Sequence, residues 1–211
     1  EHMNSWWEGG NANPPILRNT FHGNNFSPAI HDVEALATRV GRVISDIAPD
    51  VVTIQEGAGQ PEMEDFFNRF VEGDNWKILR GAGGGQALVV AANMNTVTEF
   101  ENGNSIAGRI DLSDSFSADV NADFVIDEAD FAREPQVVEV TIHDKKFTII
   151  NNHLKSKFVK NGRAMYAAGG DRRIEFFAGA LKARRRISAE AFRIRQYIDA
   201  ILEANPDELL I

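Results

Sequence analysis

The sequence predicts an α/β fold in which helices cover packed β-sheets. Its elements follow in the order strand, helix, strand, helix, several strands, helix and strand. Residues 33–47 repeat apolar side chains at helical spacing, and residues 51–55 form a short β-branched run typical of a buried strand. This alternation is typical of an α/β sandwich. We divide the chain into an irregular leader over 1–13, with Glu1-His2-Met3 as a vector remnant, and one domain over 14–211.

The first half contains two predicted helices. The helix over 33–47 ends before Pro49, and its apolar face consists of Val33, Leu36, Ala37, Val40, Val43, Ile44 and Ile47. A second helix is predicted from Pro61 to Val71, with its proline in the first turn. Short apolar runs predict the strands of this half: Ile16 to Phe21, Val51 to Gln55, Trp76 to Arg80 and Gln86 to Ala91.

The second half begins with an acidic segment, residues 101–130, which we predict to be a long loop. A long helical segment is predicted over 171–204, in two pieces broken near Arg186–Ser188. Further strands are predicted at Gln136 to Ile142, at Phe147 to Asn152 after a turn at His143-Asp144-Lys145, and at Glu208 to Ile211 after Pro206.

Composition limits the chemistry. The chain has no cysteine, which excludes a thiolate nucleophile, a disulfide and a cysteine zinc site and leaves the compartment open. No apolar run approaches the length that crosses a bilayer. The net charge is −9, yet residues 155–195 hold 12 Lys and Arg against 3 Asp and Glu. A basic segment on an acidic chain suits an anionic substrate beside a metal, or is simply a solvated helix face.

Two polar clusters follow apolar strands. Glu56 comes directly after the strand at 51–55, where a carboxylate suits Mg²⁺ or caps a turn. Asn152, His153 and Lys155 follow the apolar residues 147–150 of the second strand. A histidine there can protonate a leaving oxygen or stabilise a phosphorane, and lysines attract phosphate. A structural histidine beside a basic turn is the alternative.

These segments resemble a known superfamily. Val-Val-Thr-Ile-Gln-Glu at 51–56 and Asn-His-Leu-Lys-Ser at 152–156 are similar to two signature segments of the endonuclease/exonuclease/phosphatase hydrolases, which are deoxyribonuclease-I-like. Arg133-Glu134-Pro135 is similar to the Arg-x-Pro segment of that superfamily. The resemblance runs from about Ile16 to Ile211.

The resemblance implies a four-layered α/β sandwich, with two packed mixed β-sheets flanked by helices. It implies that Glu56 binds a catalytic Mg²⁺ or Mn²⁺, that His153 is the catalytic histidine, and that Arg133 contacts a substrate phosphate. Asn152 and Lys155 are expected to contact the same phosphate.

The chain departs from the superfamily pattern at two positions. His22 occupies the place of an asparagine that helps to hold metal and phosphate, and an imidazole suits Mn²⁺ or Zn²⁺ better than Mg²⁺. Asn24 or Asn25 is the alternative phosphate contact. Gln86 stands where some secreted nucleases carry the carboxylate that orients the histidine, so we expect Gln86 to orient His153 by hydrogen bonding.

The superfamily continues with a Gly-Asp-x-Asn segment and a second histidine segment, which supply the water-activating aspartate. The apolar run Leu209-Leu210-Ile211 is of the kind that leads into Gly-Asp-x-Asn. We therefore expect the domain to be incomplete at its C-terminal end, and residues 1–211 alone to be inactive.

The acidic loop matches much of a calcium-loop pattern. Oxygen-bearing side chains fall at loop positions 1, 3, 5, 9 and 12, namely Asp119, Asn121, Asp123, Asp127 and Asp130. Phe124 occupies the position that usually requires glycine. The prediction is a structural Ca²⁺ site or a solvated acidic loop.

The sequence thus predicts a divalent-metal-dependent phosphoester hydrolase of the nuclease or phosphodiesterase type. The basic segment favours a polyanionic substrate such as DNA or RNA. The alternative is a degenerate, non-catalytic binding module that uses the calcium-like loop or the basic helix. The sequence does not fix the phosphoester or the oligomeric state.

Overall fold

The computed structural model describes residues 3–9, 13–24, 28–73, 75–82, 86–103, 110–121 and 123–211. The chain divides into two compact units. Unit 1 comprises Glu1–Asn104, Gln136–Asn152 and Leu209–Ile211, and unit 2 comprises Ser105–Pro135 and His153–Glu208. The helices are α1 (Val33–Ile47), α2 (Gln60–Phe70), α3 (Gly162–Ala168) and α4 (Gly170–Ala204). The strands are β1 (Val51–Gly57), β2 (Trp76–Arg80), β3 (Ala87–Asn93), β4 (Val97–Asn102), β5 (Phe116–Ala118), β6 (Asp127–Ala129), β7 (Gln136–Ile142), β8 (Lys145–Asn151) and β9 (Leu209–Leu210).

Unit 1 contains two packed sheets. One has the order β1-β3-β2 and the other β4-β7-β8-β9. An apolar core lies between them, formed by Val90, Ala92, Val97, Phe100, Val138, Val140 and Ile149. The predicted α/β sandwich is therefore confirmed. The second sheet is mixed, because β9 runs parallel to β8, whereas the described pairs of the first sheet are antiparallel.

Helices α1 and α2 cover the other face of the first sheet. Asp32 caps α1 by accepting the Ala35 N–H at 2.8 Å, and Pro61 occupies the first turn of α2. The core on this side includes Val33, Ala37, Met63, Phe66, Phe67, Val89 and Ala91. Both helices lie where the sequence predicts them, although Val43 and Ile47 of the predicted apolar face are 57% and 68% exposed.

The N-terminal segment differs from the prediction. Met3–Trp6 forms a 3-10 helix, and the side chains of Met3, Trp6 and Trp7 are buried in the core of unit 1. The predicted strand at 16–21 is wrong. Leu17 and Phe21 make only isolated bridges, to Trp7 and Ile30 respectively. Leu17 and Phe21 are instead partly buried and pack against the core of unit 1.

Strand β4 is not predicted from the sequence, which indicates no strand between Ala91 and the acidic loop. Its buried residues, Val97 and Phe100, are three positions apart, and Thr98 and Glu99 between them are exposed. The register against β7 shifts between Val97 and Glu99. This bulge removes the period-two alternation by which a half-buried strand is recognised.

The hairpin β7–β8 forms as predicted. His143 and Asp144 both have positive φ, at 49° and 61°, as a two-residue turn of the primed type requires. At the C-terminus, Ile211 N–H donates to Thr148 O at 3.0 Å, and Leu209 and Leu210 pair with β8. The predicted final strand is therefore present.

Unit 2 combines the acidic segment with α3 and α4. The predicted loop contains the short hairpin β5–β6, whose Phe116, Val120 and Ala129 form a small core with Ala189 of α4. The predicted break near Arg186–Ser188 is wrong, because α4 is continuous. Ser188 Oγ donates to Arg184 O at 3.2 Å, a bond that the helix tolerates. Among the described residues, no helix has the length and apolar character needed to cross a membrane.

Candidate active site

Glu56 lies in a strained backbone position at the end of β1. The register against β3 shifts between Ile54 and Gly57, which defines a β-bulge. Glu56 within it has φ = 63°, in the left-handed region that favours glycine. Bulges redirect side chains, and such backbone outliers cluster at functional sites.

The Glu56 carboxylate contacts the predicted orienting residue. Gln86 Nε2 donates to Glu56 Oε1 at 3.2 Å. Gln86 therefore holds Glu56, a contact the sequence did not predict, while its role towards His153 stays a prediction. Both side chains are half-buried.

Asn151 and Asn152 connect β8 to the strand that carries Glu56. Asn151 is buried, and its Nδ2 donates to Val89 O at 3.2 Å and to Ile54 O at 3.4 Å. Gln55 Nε2 donates to Asn152 O at 2.7 Å. No separate role for Asn151 is predicted from the sequence, because an asparagine at a strand end carries no signal that distinguishes a buried amide from an exposed one. The described part of unit 1 therefore joins Gln86 to Glu56, and joins Gln55, the preceding residue, to the backbone of Asn152.

The donor set around Glu56 fits an ion that takes few protein ligands. Among the residues described, no group of three or more Asp, Glu or His side chains is arranged to hold a metal. Mg²⁺ usually takes one or two carboxylates and completes its shell with water and phosphate, so a single carboxylate at Glu56 is compatible with such an ion, and metal binding there stays a prediction. His22 is exposed and follows the Phe21–Ile30 bridge. Asn25 lies outside the described residues.

The other predicted residues belong to unit 2. Arg133, His153 and Lys155 are all half-buried. Glu190 of α4, for which the sequence predicts no role, is fully buried beside the segments that carry Arg133 and His153. Its carboxylate accepts the backbone N–H groups of Ala132 and Lys155. A glutamate in a charged helix looks solvated in sequence, and only the packing reveals its burial.

The acidic loop has the turn that a calcium loop needs. Phe124 adopts φ = 65° without being glycine, and its N–H donates to Asp119 Oδ2 at 3.2 Å. Asn121 and Asp123 accept the N–H groups of Asp123 and Val125, at 3.0 and 2.8 Å. Asp127 begins β6 and Asp130 follows it. These carboxylates belong to no three-donor group in the described chain, and calcium binding stays a prediction.

The basic segment, residues 155–195, contains an aromatic cluster whose members come from two different helices. The rings of Tyr166, Phe176 and Phe177 lie with their centroids 5.6–6.1 Å apart. Arg173 Cζ lies 4.8 Å from the centroid of Tyr166. A groove of about 720 Å³ adjoins the cluster, lined by Phe158, Val159, Asn161, Gly162, Arg163, Ala164, Ala167 and Phe176.

Comparison with known proteins finds similarity among solved structures alone. No protein-family model and no curated protein matches the chain. TDP2 from C. elegans is similar with a TM-score of 0.42 at 13% identity, over 83% of this chain and 40% of that one. Its truncated form gives 0.41 at 13% identity, over 83% and 52%. D. rerio TDP2 complexed with single strand DNA product gives 0.33 at 12% identity, over 63% and 45%. The chain spans about half the length of these structures.

Proposed function

We propose that the chain belongs to a divalent-metal-dependent phosphoester hydrolase of the endonuclease/exonuclease/phosphatase type. The observation that carries the proposal is Glu56, which is held at a strained bulge with its carboxylate fixed by Gln86. Strain of this kind persists where the surrounding structure enforces it, commonly at functional sites. The motif resemblance at 51–56, 133–135 and 152–156 supports the same reading.

Each proposed residue has a separate task. Glu56 anchors Mg²⁺ or Mn²⁺, and such an ion supplies charge stabilisation at the phosphoryl oxygens. Arg133 presents a planar fork that matches two phosphate oxygens. His153 stabilises charge on the transition state or protonates the leaving oxygen. Asn152 and Lys155 contact the phosphate.

The test uses the full-length gene product with bis(p-nitrophenyl) phosphate and with plasmid DNA. We expect turnover with Mg²⁺ or Mn²⁺ and none in EDTA. Glu56→Gln and His153→Ala should each lower kcat by at least about 100-fold, as for loss of a transition-state contact. Glu101→Gln, an exposed carboxylate on β4, is the matched control and should retain activity. Equal activity in EDTA, or in both variants, contradicts the proposal.

A second candidate function is non-catalytic binding of single-stranded nucleic acid on α3 and α4. The aromatic cluster of Tyr166, Phe176 and Phe177, with Arg173 over one ring, favours it. Half-exposed rings among cations are what proteins use to stack bases while neutralising the backbone. D. rerio TDP2 has been solved with a single strand DNA product, and here nucleic acid is a proposed ligand.

Binding of single-stranded DNA in EDTA, where no metal-dependent turnover occurs, distinguishes this candidate function from the hydrolase. Fluorescence anisotropy with a labelled oligo-dT should show Tyr166→Ala and Phe177→Ala each weakening affinity about 5- to 100-fold, as for loss of one stacked base. Phe192→Ala removes a ring on the same helix that is 64% exposed and lies outside the cluster, and should not change affinity. Equal losses in all three variants would contradict a specific stacking surface.

A further inference from the structure

Glu190 is a buried carboxylate that the proposed chemistry does not use. Its side chain is 0% exposed, on the face of α4 beside the core of the β5–β6 hairpin. Oε1 accepts the backbone N–H of Ala132 at 3.0 Å, and Oε2 accepts that of Lys155 at 2.6 Å. Each oxygen thus binds a different segment of chain, 58 and 35 residues away.

Arg186, one helical turn earlier, compensates the buried charge. Its Nε lies 3.4 Å from Glu190 Oε1, and its second guanidinium nitrogen donates to Asp130 O. An unpaired buried carboxylate is costly, whereas one with an arginine and two N–H donors has its oxygens satisfied. From α4, the Arg186–Glu190 pair therefore forms hydrogen bonds with the backbone of Asp130, Ala132 and Lys155.

The two segments that this pair binds also carry the proposed catalytic side chains of unit 2. Ala132 directly precedes Arg133, and Lys155 follows His153 by two residues. Resting on the proposed function, we infer that Glu190 is a positioning residue of the hydrolase, which fixes the backbone on which Arg133 and His153 are mounted. It contacts no reacting atom in this assignment.

Charge-assisted bonds to two backbone donors give a precision that apolar packing lacks. A buried apolar side chain would fill the same volume, but it would leave the Ala132 and Lys155 N–H groups unpaired. Misplacing a catalytic group by about 1 Å lowers the rate by up to about 100-fold. Glu190 is thus expected to affect kcat through the geometry of Arg133 and His153.

The first test measures the backbone contacts without any turnover. In Glu190→Gln, amide hydrogen exchange at Ala132 and Lys155 should lose about 10- to 100-fold protection, since hydrogen bonds to a charged group are being replaced. Asp199→Asn removes a carboxylate that is 46% exposed and pairs with Arg195 on the same helix, and should leave both amides protected. If Glu190→Gln does not fold, Glu190→Asp keeps the charge and shortens the reach. Unchanged protection in the folded variant overturns the inference.

The second test measures catalysis in the full-length gene product. Glu190→Gln should lower kcat for bis(p-nitrophenyl) phosphate about 10- to 100-fold and change KM less than about 3-fold. Added to His153→Ala, it should lower kcat by much less than it does alone, because residues that act through one another are not additive. Full additivity, or unchanged kcat with lost protection, overturns the positioning role. Absent metal-dependent turnover in the wild type overturns the proposed function instead, and the exchange result reports the contacts separately.

Discussion

Backbone strain at Glu56 is the main structural support for the proposed site. Glu56 has φ = 63°, a conformation that costs a non-glycine residue about 1–2 kcal/mol. The following residue, Gly57, packs so closely on β3 that an added Cβ would lie 2.7 Å from Val89 Cγ2. Position 56 therefore carries a glutamate in a conformation that glycine would adopt at lower cost.

The strain predicts a difference between two truncations of Glu56. Glu56→Gly and Glu56→Ala both remove the carboxylate and the Gln86 contact, but only glycine relaxes at positive φ. We expect the free energy of unfolding of the glycine variant to exceed that of the alanine variant by about 1 kcal/mol. Urea unfolding followed by circular dichroism measures it, and both variants should lack metal-dependent turnover.

The sign of the difference in free energy of unfolding between Glu56→Gly and Glu56→Ala tests whether Glu56 is strained. At an ordinary extended position glycine is the less stable residue of the two, because it loses more backbone entropy on folding. A glycine variant less stable than the alanine variant would show that Glu56 is unstrained in solution.

A buried amide at the end of β8 makes a second residue-scale prediction. Asn151 Nδ2 donates to backbone carbonyls of β1 and β3, whereas the neighbouring Asn152 side chain is half-buried and donates at 3.4 Å to Ile150 O. Asn151→Ala should lower the free energy of unfolding by about 1–3 kcal/mol, and Asn152→Ala by less than about 0.5 kcal/mol. Urea midpoints at constant m-value compare them, and equal losses would contradict the sheet-linking role.

At the scale of elements, the packing of α1 on α2 depends on a glycine. A Cβ built at Gly41 would lie 1.9 Å from Phe70 O, at the end of α2. Ser45 supports the same approach, because its Oγ accepts the Glu72 N–H at 2.7 Å. The helices meet backbone to backbone, and only glycine leaves room.

Gly41→Ala should therefore destabilise the protein although alanine is the better helix former. Helix propensity alone favours alanine by about 1 kcal/mol, whereas overpacking costs about 1–3 kcal/mol or more. We expect a net loss in the free energy of unfolding by urea titration. Thr38→Ala, at an exposed site of the same helix, should change it by less than about 0.5 kcal/mol. A stabilised Gly41→Ala would refute the close approach.

Apolar periodicity and stop residues in the sequence predict those helices and strands whose pattern no bulge or tertiary contact interrupts. Helix α1 is predicted correctly because the apolar period of 3.6 and the stop at Pro49 agree with its length. Strand β4 is not predicted, because a bulge interrupts its period of two, and the predicted break in α4 near Arg186–Ser188 does not occur. Glu56 was visible as a motif, whereas its strain and the burial of Glu190 arise from tertiary packing, which no local pattern encodes.

On the scale of the whole molecule, the charge is unevenly distributed, and the salt dependence of binding tests its meaning. The net charge of −9 opposes nucleic acid, yet residues 155–195 hold 12 of the 22 Lys and Arg. If these cations neutralise phosphates, replacing exposed Arg184 and Arg185 by alanine should reduce the slope of log K against log salt by up to about 1.4 for single strands. Arg39 and Arg42, exposed on α1, give a double variant of equal net charge. Anisotropy titrations with oligo-dT at several salt concentrations distinguish them: equal slopes in both double variants would mean that overall charge, and not the basic segment, governs binding.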